Sequence, residues 1–182
     1  MSDKQQQEIQ IYGCDNDNLK DYYCKEVNLK ELQITQIASL NNISPKLVLF
    51  INKNSNYEIY SEIYSEKYKY TLLDIKKEER KNYIQPIKKL ISKLHQCGVY
   101  HGDIKEDNIV MNKIKFYQDA NLFSQELLMN SINDIKLIDF GLSKFITELK
   151  TEDLKDNMYD EEVNSVEELL ILELNEVDFI CF

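Results

Sequence analysis

Residues 100–112 read YHGDIKEDNIVMN, which crowds a histidine, an aspartate, a lysine and an asparagine between short apolar runs. A second break of the same kind follows downstream. The apolar run Ile135–Ile138 stops at Asp139, with Gly141 just beyond it. A carboxylate at the end of a hydrophobic strand, followed by glycine, is well placed to face a metal in a cleft. Magnesium takes hard oxygen ligands in octahedral geometry, and one or two protein groups plus phosphates usually hold it. Asn108 offers a neutral oxygen and Asp139 a charged one. Asp103 can accept a proton from an attacking hydroxyl, and Lys105 can balance charge on a transferring phosphate. Those are the parts of phosphoryl transfer, in which catalysis is mainly positioning and electrostatics. The same residue types also suit turns and helix caps.

The rest of the chain frames these two stretches. EIQIYGC and LKDYYCKEV read as two strands joined by a turn, and PKLVLFI with YEIYSEIY as a further hairpin. Between them LKELQITQIASL has the apolar spacing of a short helix. From Leu72 to Gln96 the pattern is helical, with Gly98 as the stop and Pro86 dividing it into two helices or a kink. Short strands are expected at 98–101, 108–111 and 135–138, and helices around Leu122–Met129 and in SVEELLILEL.

HGDIKEDN followed by LIDFG resembles the catalytic-loop and metal-binding motifs of the eukaryotic-type protein kinases. HGDIK with DFGLS is most similar to the vaccinia-related kinases of the casein kinase group, and KEOPS-complex kinases share HGD and DFGLS. The resemblance implies an α+β, two-lobe protein-kinase-like fold in a single domain. It would have a reduced β-rich N-lobe over 1–64 and a truncated helical C-lobe over 65–182. It implies ATP and Mg2+ as cofactors, Asp103 as catalytic base, Lys105 as phosphate clamp, and Asn108 and Asp139 as metal ligands. Lys25 in YYCKEV would pair with Glu31 in LKELQI to hold the nucleotide, across a spacing shorter than the family's. Glu62 to Tyr64 would be the inter-lobe hinge, offering backbone groups to adenine. His101 reads as a scaffold residue packed against the DFG turn, His95 as a packed helix residue, and Glu106 and Asp107 as solvated charges.

Three departures from the family qualify the resemblance. Gly13 is the only glycine before position 98, so no glycine-rich loop covers the phosphates. Gly102 replaces the arginine of the HRD pattern, so phosphorylation of Thr147, Thr151 or Tyr159 is not required for activity. No APE motif follows DFG, and the segment with Asp160 and Glu162 resembles the start of the large lobe's central helix. The Asn108–Asp139 interval carries an insertion of about 15 to 20 residues by the family's motif spacing.

Charge narrows the partners. Residues 148–182 hold 12 acids against two lysines, while the first 147 are balanced, so the formal charge of −10 belongs to the C-terminal stretch. Direct nucleic-acid binding through a basic face is disfavoured. No apolar run approaches the roughly 20 residues needed to cross a bilayer, and no secretory signal is visible. The four cysteines form no CxxC or zinc spacing and read as reduced thiols. The expected protein is therefore cytoplasmic, with a protein substrate or regulatory protein as partner. Three functions remain open at this point. They are a minimal serine/threonine kinase, a non-catalytic kinase-like binding module, and a KEOPS-like kinase or ATPase acting within a complex.

Overall fold

The computed structural model describes residues 8–11, 19–54, 59–112, 134–149, 161–162 and 164–166. The chain divides into two compact units, Met1–Lys67 and Tyr68–Phe182. That boundary lies three residues beyond the one read from sequence.

In the first unit, β1 (Glu8–Ile11), β2 (Tyr23–Val27), α1 (Leu29–Leu40), β3 (Leu47–Asn54) and β4 (Ile59–Ser65) follow in order. Asn28 turns the chain from β2 into α1 within one residue: it is extended, and its side chain accepts a hydrogen bond from the Glu31 amide at 2.8 Å. This is N-capping of one of the helix's orphan amides. At the other end Asn42 takes the left-handed conformation, with φ 57°. The Ile43 amide then reaches the Ala38 carbonyl at 2.8 Å, which closes the helix by the Schellman pattern. Glu31, Ile34, Thr35 and Ala38 form one buried stripe on α1. Val27, Leu32, Leu47, Phe50 and Ile63 make the unit's apolar cluster.

The sheet order is β1-β3-β4-β2, with every neighbouring pair antiparallel. This corrects the expected hairpin between the first two strands. β3 and β4 form the hairpin read from sequence, and the first two strands add to its opposite edges. Strand alternation specifies which face each residue covers, but not which neighbour it pairs with. The long β3–β4 ladder, which buries Leu49, Phe50 and Ile63, takes the centre.

The second unit opens with β5 (Tyr70–Thr71), a 3₁₀ turn at Leu72–Asp74, α2 (Lys77–Arg80), a second 3₁₀ turn at Lys81–Tyr83, and α3 (Ile84–Gln96). Pro86 stands in the first turn of α3, where a helix has no use for its missing N–H. The expected division at Pro86 is thus met by a helix start. Ile87, Leu90, Ile91 and Leu94 are fully buried on one side of α3. Gly98 ends the helix at φ +76°, donating its amide to the His95 carbonyl. Two small sheets follow. β5, β7 (Ile109–Met111) and β8 (Ile135–Leu137) form one, and β6 (Val99–Tyr100) and β9 (Lys144–Phe145) the other. The expected helix at Leu122–Met129 lies outside the described residues. Within the acidic C-terminal stretch, 161–162 and 164–166 are helical, and the rest of the expected SVEELLILEL helix lies outside the described residues.

Candidate active site

Lys25 sits opposite Ile63 in the β2–β4 ladder, on the same face as Val27 and the apolar cluster. Its Nζ donates to Glu31 Oε1 at 2.5 Å, only six positions along the chain. Glu31 is the third residue of α1, where a carboxylate often reaches back to the cap's own amide. Here the carboxylate turns to Lys25 instead. The expected pair therefore forms, and the one-residue turn at Asn28 is what makes the short spacing work. Lys25 and Glu31 belong to the first unit and are described within it alone.

Glu62 and Tyr64 do not lie in a connection. Both are inside β4, with Glu62 between Glu26 and Ile51, and Tyr64 between Cys24 and Leu49. Their main-chain groups belong to two ladders, and their side chains face away from the Lys25 side. The Tyr64 hydroxyl donates to Glu62 at 3.3 Å. Its pKa is pushed up to about 12, chiefly by hydrogen bonding with Cys24, then by burial and the Glu62 charge. The hinge expected at these residues is therefore corrected: irregular backbone begins only at Glu66, after the strand ends.

In the second unit the catalytic-loop stretch forms a connected polar network. Asn108 closes a 3₁₀ turn that begins at Glu106, and its amide nitrogen donates to both the Asp103 carbonyl and Asp103 Oδ2, each at 2.9 Å. Lys105 Nζ reaches the same Oδ2 at 2.7 Å, and that hydrogen bond raises the lysine's pKa above its usual value. The Ile138 amide donates to the Asn108 carbonyl at 3.0 Å, extending the β7–β8 ladder by one step. Asp139 therefore follows directly beyond Asn108's strand-end partner. It adopts φ +62°, a region sparsely populated by non-glycine residues and common at functional sites.

His101 is fully buried and links the two strand ends. Nδ1 accepts the Asp103 amide at 3.3 Å, and Nε2 bonds the Ile138 carbonyl at 3.1 Å. A ring that accepts at Nδ1 and donates at Nε2 is neutral. Burial, the dominant influence, lowers its pKa against the opposing pull of Glu162, the Ile138 carbonyl, Asp103 and Asp139. Phe140 packs on the ring at a centroid distance of 5.1 Å, as the scaffold reading of this histidine expected.

Four supports lie around this network. Glu162, buried, accepts the Gly102 amide at 2.6 Å and pairs with His95 at 2.5 Å. Ser143 Oγ donates to the His101 carbonyl at 2.7 Å, and the β6–β9 ladder continues that contact. Gly102 has φ +80°, and a Cβ there would stand 2.7 Å from the Leu142 carbonyl oxygen. The arginine of the HRD pattern is thus sterically excluded here, not merely missing. The fourth support escaped the sequence reading. Arg80 donates to Glu106 and to the carbonyls of Ile75 (3.0 Å) and Leu73 (3.3 Å). Glu106 is therefore half of a partly buried ion pair, which corrects its reading as a solvated charge. One signal was available: Arg80 is the chain's only arginine beside 21 lysines.

Asn108 carries an amide oxygen beside the nitrogen that Asp103 holds, and Asp139, at the adjoining strand end, a carboxylate that accepts the Gly141 amide at 3.4 Å. Among the described residues no cluster of three or more His, Cys, Asp or Glu side chains could hold a metal unaided. One amide oxygen and one carboxylate suit magnesium, which takes its remaining ligands from phosphates and water. The donor set fits the ion.

The protein kinase domain family matches residues 4–166. The chain belongs to that family. Its kinase domain is 29% identical over 133 residues to the human "Hormonally up-regulated neu tumor-associated kinase", covering 68% of this chain and 15% of that protein. It is 25% identical over 121 residues to the "KEOPS complex subunit Bud32" of Pyrococcus abyssi, covering 66% of this chain and 46% of that one. The chain thus spans a minor part of these relatives' lengths. Among solved structures it resembles the Cydia pomonella granulovirus kinase PK-1 with a TM-score of 0.53. That match has 16% identity and covers 88% of this chain and 66% of the viral chain. No described helix is long and apolar enough to cross a membrane.

Proposed function

We propose that this kinase domain transfers the γ-phosphoryl group of ATP to a serine or threonine hydroxyl of a protein in the cytoplasm. The observation that carries the reading is the double hydrogen bond from Asn108 to Asp103. It fixes the base and the Asn108 amide in one arrangement. Asp103 takes the proton of the attacking hydroxyl as its oxygen bonds to phosphorus and the bond to the departing ADP oxygen breaks. Lys105, already on Asp103, is close enough to offset charge on the phosphoryl oxygens. Asn108 and Asp139 would hold Mg2+, and Lys25, steadied by Glu31, the nucleotide phosphates. The bound ion supplies charge neutralisation across the phosphate oxygens.

The test is transfer of labelled phosphate with magnesium, comparing wild type with Asp103→Asn and Asp139→Ala. Wild-type signal that both substitutions abolish supports the reading. Equal signal in all three, or none in wild type on any protein or on itself, overturns it.

One observation favours a second reading, a kinase-like module that binds a protein partner without catalysis. Among the described residues β2, the Lys25 strand, pairs only with β4, and β1 lies at the opposite edge. Among the described residues no strand pair flanks Lys25 to cover phosphates. A thermal-shift titration with ATP and magnesium separates the two, because binding to the folded state raises the midpoint. No shift at millimolar nucleotide favours the binding module. A shift without transfer favours a KEOPS-like ATPase acting within a complex.

A further inference from the structure

Arg80 lies outside the catalytic loop, 26 positions before its partner, yet its guanidinium ends on a residue of that loop. Its side chain is 7% exposed and that of Glu106 18%. A buried guanidinium is costly unless its donors are satisfied, and here three separate acceptors surround it. Two of them, the Leu73 and Ile75 carbonyls, belong to a turn that is itself held firmly. Thr71 and Asp74 form a capping box, the Ile75 amide returns to the Leu72 carbonyl at 3.1 Å, and Leu72 and Ile75 are buried. The guanidinium is therefore fixed to a rigid anchor through Nε and Nη2 and presents Nη1 to Glu106.

Glu106 opens the 3₁₀ turn whose last residue is Asn108, and Lys105 precedes it. The far end of the turn is tied to β8 through the Ile138 amide. One end of the turn is thus held by a sheet and the other by Arg80. We propose that Arg80 and Glu106 are a positioning pair for phosphoryl transfer, setting where Asp103, Lys105 and Asn108 stand. The chain uses lysine at every other basic position, 21 times. A planar fork can serve three acceptors at fixed angles, and an ammonium cannot reproduce that geometry.

The inference rests on the phosphotransfer reading, so the test carries one catalytic and one non-catalytic readout. Full-length Arg80→Lys, Glu106→Gln and the double variant Arg80→Met with Glu106→Leu are compared with wild type and with Lys81→Gln, an exposed neighbour. Replacing both partners by apolar groups preserves folding better than removing one. Expected for all three pair variants, well below their melting midpoints, is a kcat lower by about 10-fold or more with KM for ATP unchanged. Hydrogen exchange across 102–108 should also be faster, with α3 unaffected. A purely structural role would lower the midpoint and leave kcat and that exchange alone, and this result overturns the proposal. If wild type transfers no phosphate, the functional reading fails. Exchange across 102–108 then judges the pair by itself: faster exchange supports it and unchanged exchange overturns it.

Discussion

Gly102 and Gly98 offer a matched comparison, because both have positive φ, +80° and +76°, but different surroundings. Nothing would stand within 4 Å of a Cβ at Gly98, whereas one at Gly102 would meet the Leu142 carbonyl oxygen at 2.7 Å. Gly98→Ala should lose only the left-handed backbone term, about 1–2 kcal/mol. Gly102→Ala should lose that and an overlap term of about 1–3 kcal/mol, since the neighbouring backbone has to move. Leu142 cannot yield freely, because Ser143 fastens it on one side to the Phe140 carbonyl and to the His101 carbonyl. Urea unfolding of the two variants, with equal m-values, gives the difference directly from the midpoints. Phosphate transfer should fall in Gly102→Ala beyond any fall in Gly98→Ala, because displacement of Leu142 pulls on Asp139–Gly141. Equal destabilisation of the two variants would refute the assignment of Gly102 to close packing.

His101 is neutral when folded and its pKa is lowered by burial, whereas in the unfolded chain it takes a proton near about 6.5. Below that value the unfolded state binds more protons, so stability should fall as pH drops from 7.5 to 5.5. His101→Asn should flatten this slope in urea titrations, and an unchanged slope would remove the histidine from the account. Asn28→Ala should cost about 1 kcal/mol by loss of the cap, and Asn28→Ser should recover most of it. Because the cap also places Glu31, Asn28→Ala should weaken the midpoint shift produced by ATP. An unaltered shift would mean that Lys25 and Glu31 stay paired without the cap. Leu90→Ala, in the fully buried stripe of α3, should cost about 2–5 kcal/mol in thermal unfolding.

The parts legible in the sequence were those written in local pattern. The α3 periodicity, the Gly98 stop and the two motif loops each follow from residues close in the chain, as does the β3–β4 hairpin. What the pattern could not give was strand order. EIQI and YYCKEV both read as strands, yet their partners are 40 or so residues downstream. The same blindness put Glu62 and Tyr64 in a connection, because an alternating Tyr-rich run looks alike in an edge, a centre or a linker. Arg80 is illegible for a different reason. In KKEERKNY a buried cation is indistinguishable from solvated neighbours until the turn at Leu72–Ile75 supplies its carbonyl acceptors.

The six-residue interval between Lys25 and Glu31 bears on timing as well as chemistry. A loop this short closes at little entropic cost, in roughly the time of a single helical turn rather than of sheet assembly. One strand residue, one capping asparagine and the first turn of α1 are enough to bring ammonium and carboxylate together. The contact therefore belongs to the fast, local part of folding, and an outward swing of α1 has to part the Lys25–Glu31 pair or bend the chain at Asn28. A domain wired this way brings its lysine and glutamate together early, before the long-range strand pairings are complete.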